Sequence, residues 1–396
     1  MTAKIWHTSD WHLGKKLFKR SRIDEQKCFL EWLFNELQTH KVDALIIAGD
    51  IFDTPTPPND ALDLYFSFLE EVSSKTNTHI IIISGNHDSA NFIQAPASIL
   101  KKHNIHIRTR LEKDFEKNII TLKLKERDYH FKCLPYFRTY ELYQFLDSEQ
   151  ELDPKDIEKV LTDFSNYWPK ESSDSFKIIV AHHAFGEFSA TGSEHTVSVM
   201  GLENLSLKWF GDSYDYIALG HIHKPQKMST TKSIYYSGSP IPLRFSEKQM
   251  KKVLVLNTDG KEVDFIEIPK FRDIIQISST EEDIEEKLAE VLASIKKNKL
   301  EAFIEIKLKM TTPNNELTNT LFEMTKASGH SLLSLIPSYE AIEEKEEKER
   351  ININELNLNE LFNLYYKEKY PENEAPPAEL EIQFRKLLED VNHEIS

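Results

Sequence analysis

Five short groups of hard ligands punctuate this chain: Asp10-Trp11-His12, Gly49-Asp50-Ile51-Phe52-Asp53, Gly85-Asn86-His87-Asp88, His182 after Val180-Ala181, and Gly220-His221-Ile222-His223. Carboxylate, imidazole and amide oxygen in combination favour manganese, iron or zinc over calcium. Two divalent cations would account for the whole set. A carboxylate such as Asp50 can bridge two ions about 3.5–4 Å apart; such a pair acidifies a water and clamps phosphate oxygens for in-line attack on phosphorus. Glycines at 49, 85 and 220 let the main chain turn sharply beneath the ions. His87, beside Asn86, suits the general acid that protonates the leaving oxygen. Asp53, three residues past Asp50, could orient that imidazole.

Taken singly, none of these motifs is decisive. A lone Asp-x-His or His-x-His pair is more often surface or core than a metal site, and Gly-Asp-x-x-Asp alone can cap a helix. The weight lies in their recurrence, each behind an apolar run. His7 fits one face of the first strand and reads as structural. His183 beside His182 leaves one ligand ambiguous, and the place after Val180-Ala181 favours His182. His195, His103 and His106 stand in no such context.

The elements that must position these residues alternate in kind. Residues 5–9, 44–48 and 80–83 read as strands, the latter two apolar throughout and therefore buried on both faces. Residues 23–37, 61–72 and 93–100 have helical spacing, the last entered through Pro96. Residues 118–134 read as strands around a polar turn at 126–128, residues 139–168 as helices, and 178–181 and 216–219 as short buried strands. Segments 234–237, 253–256 and 263–268 close the domain. Alternating strands and helices imply a layered α/β sheet, whose strand ends meet at one edge and gather ligands there.

A boundary falls near Pro269. Beyond it, strands at 274–278, 302–310 and 331–336 alternate with helices at 281–297 and 315–327, a compact β-α-β-α-β module. A charged run at 343–350 follows, then two amphipathic helices at about 355–369 and 378–392, split by Pro371 and Pro376-Pro377. The expected division is 1–269 for the catalytic domain, 270–338 for a small capping domain, 339–352 for a charged linker and 353–396 for the C-terminal helices.

The 396 residues carry a formal net charge of −16, which alone argues against a nucleic-acid partner. The excess is uneven: residues 340–396 hold 16 acids and 7 bases, so more than half of it lies in the tail. No window approaches the ~20 apolar residues of a membrane span, and the N-terminus lacks a signal-peptide pattern. Two isolated cysteines, Cys28 and Cys133, read as buried thiols in a reducing compartment. The expectation is a cytoplasmic protein with no membrane partner.

These motifs resemble the calcineurin-like metallophosphoesterase superfamily. With Thr54, Ser89 and Tyr236-Ser237-Gly238-Ser239-Pro240 added, they are similar to its SbcD branch, the bacterial counterpart of the archaeal and eukaryotic double-strand-break nuclease subunit. The resemblance implies a four-layer β-sandwich flanked by helices, with a small α+β capping domain and a C-terminal helix-loop-helix. It implies one cation on Asp10, His12, Asp50 and His223, the other on Asp50, Asn86, His182 and His221, with His87 catalytic and Asp53 its carboxylate partner. The doublet His182-His183 departs from the single histidine more usual there.

The resemblance also implies an SbcC-type coiled-coil ATPase partner, DNA as substrate, and a homodimer within a heterotetramer. The C-terminal helices support a partner independently, because an isolated pair cannot bury both apolar faces. Leu361, Phe362, Tyr365, Phe384 and Leu388 would pack on partner helices. Lys15, Lys16, Lys19, Arg20 and Arg22 form a basic run after the first motif, and Lys15, Lys16 and Arg20 are candidate phosphate contacts. The expected activity is metal-dependent DNA cleavage, as exonuclease on duplex ends with partner ATP hydrolysis and as endonuclease on single strands and hairpins. A phosphatase or cyclic-nucleotide phosphodiesterase on the same scaffold is the alternative; a DNA-binding scaffold with a dead site is disfavoured by the complete ligand set.

Overall fold

The computed structural model describes residues 2–146, 154–169, 174–191, 204–259, 262–295, 300–339 and 358–370, together with 376, 377, 380, 383 and 384. Residues 1–339 form one compact unit and 340–396 another.

Two six-stranded sheets face each other in the first unit. One runs, edge to edge, Glu262–Glu267, Lys252–Asn257, Lys4–Thr8, Ala44–Ala48, His79–Ile83, Ile105–Arg108. The other runs Gln226–Lys227, Ile234–Tyr236, Tyr216–Gly220, Phe176–His182, Arg127–Leu134, Ile119–Leu124. The strands that lead to the ligand motifs are parallel neighbours, with Ile5 opposite Ala44, Ala44 opposite His79, and Tyr216 opposite Ile178. Parallel register puts their carboxyl ends at the same edge of each sheet.

Side-chain alternation explains why Ala44–Ala48 is apolar throughout. Ala44, Ile46 and Ala48 point between the sheets and meet Phe131, Ile178 and Val180. Leu45 and Ile47 point the other way, onto helices Ile23–His40 and Asn59–Lys75 through Phe29, Leu33, Tyr65 and Phe68. Helix Pro154–Asn166 covers the outer face of the second sheet, with Ile157, Leu161 and Phe164 against Ile179, Ile217 and Leu219. The four layers agree with the expected sandwich. Truncating a side chain fixed on all sides, such as Ile46→Ala, costs about 2–5 kcal/mol.

The module after Pro269 is a parallel sheet of Ile274–Thr280, Phe303–Met310 and Ser331–Tyr339, with helices Ile284–Ser294 and Asn315–Ala327. Asn314 caps the second helix, its Oδ1 accepting from the Leu317 N–H at 3.0 Å. An ionic joint ties this module to the sandwich. Arg22, fully buried, donates to Glu25 Oε2 at 2.9 and 2.5 Å and to the Pro242 carbonyl. Arg272 approaches the same Glu25 oxygen at 3.5 Å, donates to the Glu301 carbonyl and lies 3.9 Å from the Phe303 ring centre. Beside it Leu17, Phe245 and Phe303 form a small apolar cluster.

Several expectations change. The helix expected over 93–100 is two short ones, Ala90–Gln94 and Ala97–Leu100, parted at Pro96 because proline cannot donate within the helix. The turn after the strand Ile119–Leu124 is Lys125-Glu126, both residues at positive φ as a two-residue hairpin requires. Cys28 is only partly buried, whereas Cys133 is fully buried. Arg22 belongs to the ionic joint rather than to an exposed basic run.

In the second unit, helix Leu358–Lys369 includes Leu361, and the Phe362 and Phe384 rings stack at 4.1 Å and 10°. Tyr365 is 61% exposed. The charged linker, Leu388, His195 and most of the last helix lie outside the described residues. Among the described residues no helix is long and apolar enough to cross a membrane.

Candidate metal centre

Asp10, Asp50, Asn86, His182 and His221 each stand at or just past the end of a parallel strand. The turns carrying them are strained. Asp10, His12, Asp50 and His221 all adopt positive φ, at 53°, 46°, 50° and 101°. Side-chain-bearing residues rarely do so, and each such position costs of order 1–3 kcal/mol. Close approach explains two glycines: a Cβ at Gly220 would lie 1.9 Å from the Ala48 carbonyl oxygen, and one at Gly49 would lie 2.3 Å from His182 Nδ1.

Three groups of donor atoms result, and Asp50 belongs to two of them. Asp10, His12, Asp50 and His223 offer atoms all within 4.8 Å of one another, as do Asp50, His182 and His221, and at the rim His12, Asp53 and His87. Asp50 Oδ2 lies 3.6 Å from His12 Nε2 and 3.3 Å from His182 Nε2. Asn86 Oδ1 joins the second group, 3.1 Å from His182 Nε2 and 3.0 Å from His221 Nδ1. His12 Nε2 and His223 Nε2 face each other at 3.2 Å.

These separations bear on whether the residues fit cations. Ligands about 2.0–2.2 Å from one ion stand roughly 3–3.5 Å apart. At that distance one ring can donate to the other, and a shared cation can equally take the lone pairs of both. Second contacts set the rings. His182 Nδ1 donates to the Ala48 carbonyl at 2.7 Å, which turns Nε2 toward Asp50. His12 Nδ1 meets Asp53 Oδ1 at 3.2 Å. The residues fit two divalent ions.

Charge in the pocket is divided unequally. Burial raises Asp10 to about 6, and Asp50 adds to this against the pull of His182 and His12. Burial alone would raise Asp50 too, but His182, His12 and His87 outweigh it and hold Asp50 well below the ordinary carboxylate range. Burial would lower His182, yet Asp50 and Asp10 lift it to about 9. Burial, His12 and Lys251 drive His223 well down, so its ring is neutral and able to act as a ligand.

His87 is held in two ways. Its N–H donates to Asp50 Oδ1 at 2.9 Å and its Nδ1 to the Asp53 main-chain carbonyl at 2.8 Å. The Asp53 carboxylate lies beside the same ring, its oxygen within 4.8 Å of a His87 ring nitrogen. That group also binds His12 and takes the Lys15 Nζ at 2.9 Å, while the Asp53 carbonyl accepts from His87. Lys15 is thereby tied to the site. Lys16 and Arg20 lie on the short hairpin beyond it, with Arg20 donating to Ser331 Oγ at 3.4 Å.

His183 lies away from the donor groups. Its Nε2 accepts from the Phe137 N–H at 3.3 Å, and its ring stacks on Tyr136. Three supporting residues add to those expected from the sequence. Asp88 accepts from the N–H groups of Gly85, Phe52 and Ile51 at 2.8, 3.0 and 3.2 Å, fastening two ligand loops together. Ser9 donates to Asp10 and meets Ser237 Oγ at 2.7 Å. Asp88 is visible within its motif; nothing in the sequence pairs Ser9 with Ser237.

The profile of the calcineurin-like phosphoesterase family matches residues 3–225, and that of the type 5 capsule protein repressor C-terminal domain matches 270–370. The SbcD component of the nuclease SbcCD from Escherichia coli K12 is 32% identical over 271 residues, 65% of this chain and 66% of its own length, just under two thirds. The protein of that name from Bacillus subtilis is 26% identical over 410 aligned residues, covering 99% of both chains. A solved dimetal phosphatase from Danio rerio covers 68% of this chain at 12% identity and a TM-score of 0.39. With more than half of its residues matched by one family profile, and with that family's acid and histidine clusters at the strand ends, this chain belongs to the calcineurin-like phosphoesterase family.

Proposed function

We propose that this chain is the nuclease subunit of an SbcCD-type complex and hydrolyses DNA phosphodiesters with two divalent cations, manganese in the working enzyme. The observation that carries most weight is Asp50, whose one carboxylate oxygen stands within 3.6 Å of a histidine from each donor group. Asp10, His12, Asp50 and His223 would hold one ion, and Asp50, Asn86, His182 and His221 the other. When bound, the pair supplies Lewis-acid neutralisation of the phosphate and acidifies a water nucleophile.

The chain's own residues complete the chemistry. Water gives up a proton to solvent and adds its oxygen to phosphorus as the P–O bond to the leaving nucleotide breaks. His87 donates the proton that the leaving oxygen takes up, from Nε2, because Nδ1 is committed to the Asp53 carbonyl. Lys15, Lys16 and Arg20 steady the strand through its phosphates. The sandwich of residues 1–269 is the nuclease domain and the module of 270–338 its cap. The C-terminal helices grip a coiled-coil ATPase through Leu361, Phe362, Tyr365, Phe384 and Leu388, two copies of this chain joining two of the partner. Such a complex would serve DNA repair, recombination and replication in the cytoplasm.

The test is incubation of the full chain with manganese and either labelled DNA or cyclic nucleotides, with and without the ATPase and ATP. Cleavage of DNA, with duplex ends degraded only when partner and ATP are present, is expected. Turnover of cyclic nucleotides or phosphomonoesters with intact DNA would replace this reading by the phosphatase or phosphodiesterase one.

A further inference from the structure

A cavity of about 360 Å³ lies against the loops that carry the metal-binding residues, and none of the donor atoms of the metal centre lines it. Its walls include Tyr136, Phe137, Phe145, Arg110, Lys113 and Glu141. They are fastened to the catalytic loops at three points. The Tyr136 N–H donates to the Ser84 carbonyl at 3.0 Å, two residues before Asn86. The Phe137 N–H donates to His183, the neighbour of His182, at 3.3 Å. Arg110 Nη2 donates to Asn91 Oδ1 at 2.8 Å, on the short helix that follows His87.

Tyr136 is the central feature. Its ring lies near-parallel on buried His183, centroids 4.8 Å apart at 28°, which fixes the plane of the phenol. The ring is only partly buried, so one part of it remains open to a ligand. Burial raises its hydroxyl above the ordinary phenol range, against the pull of Arg138.

The chemistry of the walls selects among occupants. Arg110 and Lys113 are balanced by Glu112 and Glu141, so the cavity is a poor cradle for a run of phosphates. Aromatic faces rimmed by a guanidinium donor and a carboxylate acceptor suit a flat heterocycle with polar edges. The volume lies at the small end of ligand sites, enough for one base and too small for a duplex.

We propose that this cavity takes the nucleobase next to the bond cleaved at the metal centre, with Tyr136 as its stacking platform. The inference rests on the nuclease reading above and deepens it. A base reaches the cavity only when it is out of a duplex, so the site favours single strands, hairpin tips and frayed ends. Stacking tolerates every base, so little sequence preference follows.

The experiment uses the full chain with manganese and single-stranded oligonucleotides, intact or with one abasic position, and reads cleavage bond by bond. Loss of a stacked base should slow the wild-type protein about 5- to 100-fold at one bond flanking the abasic position. Tyr136→Ala should lose a similar factor on intact DNA and show no further loss at the abasic position. Tyr136→Phe, which keeps the ring, should recover most of the rate. Tyr136→Leu serves if the alanine variant fails to fold, with the same loss and the same insensitivity expected. Wild-type cleavage indifferent to the missing base, or an equal abasic penalty in wild type and variant, overturns the subsite alone. No cleavage of any DNA by the wild-type protein overturns the nuclease reading and the subsite with it.

Discussion

The two sheets of the sandwich contribute differently to the same pocket. The sheet built on Lys4–Thr8, Ala44–Ala48 and His79–Ile83 brings both buried carboxylates, the amide of Asn86, and His12 and His87. The sheet built on Phe176–His182 and Tyr216–Gly220 brings only imidazoles, His182, His221 and His223. Neither sheet holds a complete ligand group for either ion. Both carboxylates sit on one side of the cleft and the other side offers imidazoles alone, so cations would join the layers as well as serve the reaction. Asp50 is the residue shared by the Asp10-His12-His223 group and the His182-His221 group.

Removing the shared residue should have the largest effect. Asp50→Asn is expected to lose both ions and to lower cleavage roughly a thousandfold or more, whereas His221→Ala should retain one ion. Metal content per chain, measured beside the cleavage rate, checks this; two ions in Asp50→Asn would show that the sheets do not share a bridge. His87→Ala should keep both ions and lose about 10²- to 10⁴-fold in rate. If it loses metal instead, His87 is a ligand and not the proton donor.

Chelation tests the joining of layers directly. At a hundredfold excess of ion over its Kd, binding contributes about 2.7 kcal/mol, so stripping the ions should lower Tm by about 5 °C. The same chelator should leave the Tm of Asp50→Asn almost unchanged, and an equal drop in that variant would refute the bridging role.

The smallest effect concerns a histidine pair on the outer edge of the carboxylate-bearing sheet. His79 Nδ1 and His106 Nε2 lie 3.2 Å apart. Burial, then His79, Arg108 and Lys101, bring His106 down to about 4. The unfolded chain, near 6.5, takes up the proton first as pH falls. His106 therefore contributes fully above about pH 6.5, and its contribution is lost as pH drops toward 4. With the ring partly exposed, screening leaves roughly 1 kcal/mol. His106→Gln should thus show a shallower fall of Tm between pH 7 and 5, read on chelated protein so that the metal pocket does not contribute. An unchanged slope would remove the edge pair from the acid response.

Much of this is legible in the sequence, for definable reasons. Strands such as Ala44–Ala48 announce themselves because both faces are covered, and the ligand motifs directly follow them. Helices Ile23–His40 and Asn315–Ala327 follow from apolar spacing. Which strand joins which sheet is not legible from the pattern, since Ile80–Ile83 and Ile178–Ala181 look alike as strings; the sandwich comes from the resemblance. Side-chain type also hides main-chain roles. The sequence suggests the Asp53 carboxylate beside His87, but gives no sign that the Asp53 carbonyl accepts from that ring while the carboxylate also serves His12 and Lys15. Arg22 looks like one more surface base because its acceptors, Glu25 and the Pro242 carbonyl, come from a helix and a distant loop.

That buried arginine has a mechanical consequence. The three-stranded module, whose last strand ends at Tyr339, is anchored by Arg272 to Glu25 and hence to Arg22. Arg22 ends the stretch that begins at His12, and Lys15 within that stretch holds Asp53. Loosening the Arg272–Glu25 contact would therefore be felt first at Arg22, ten residues along the chain from His12, with no need for anything to touch the cleft.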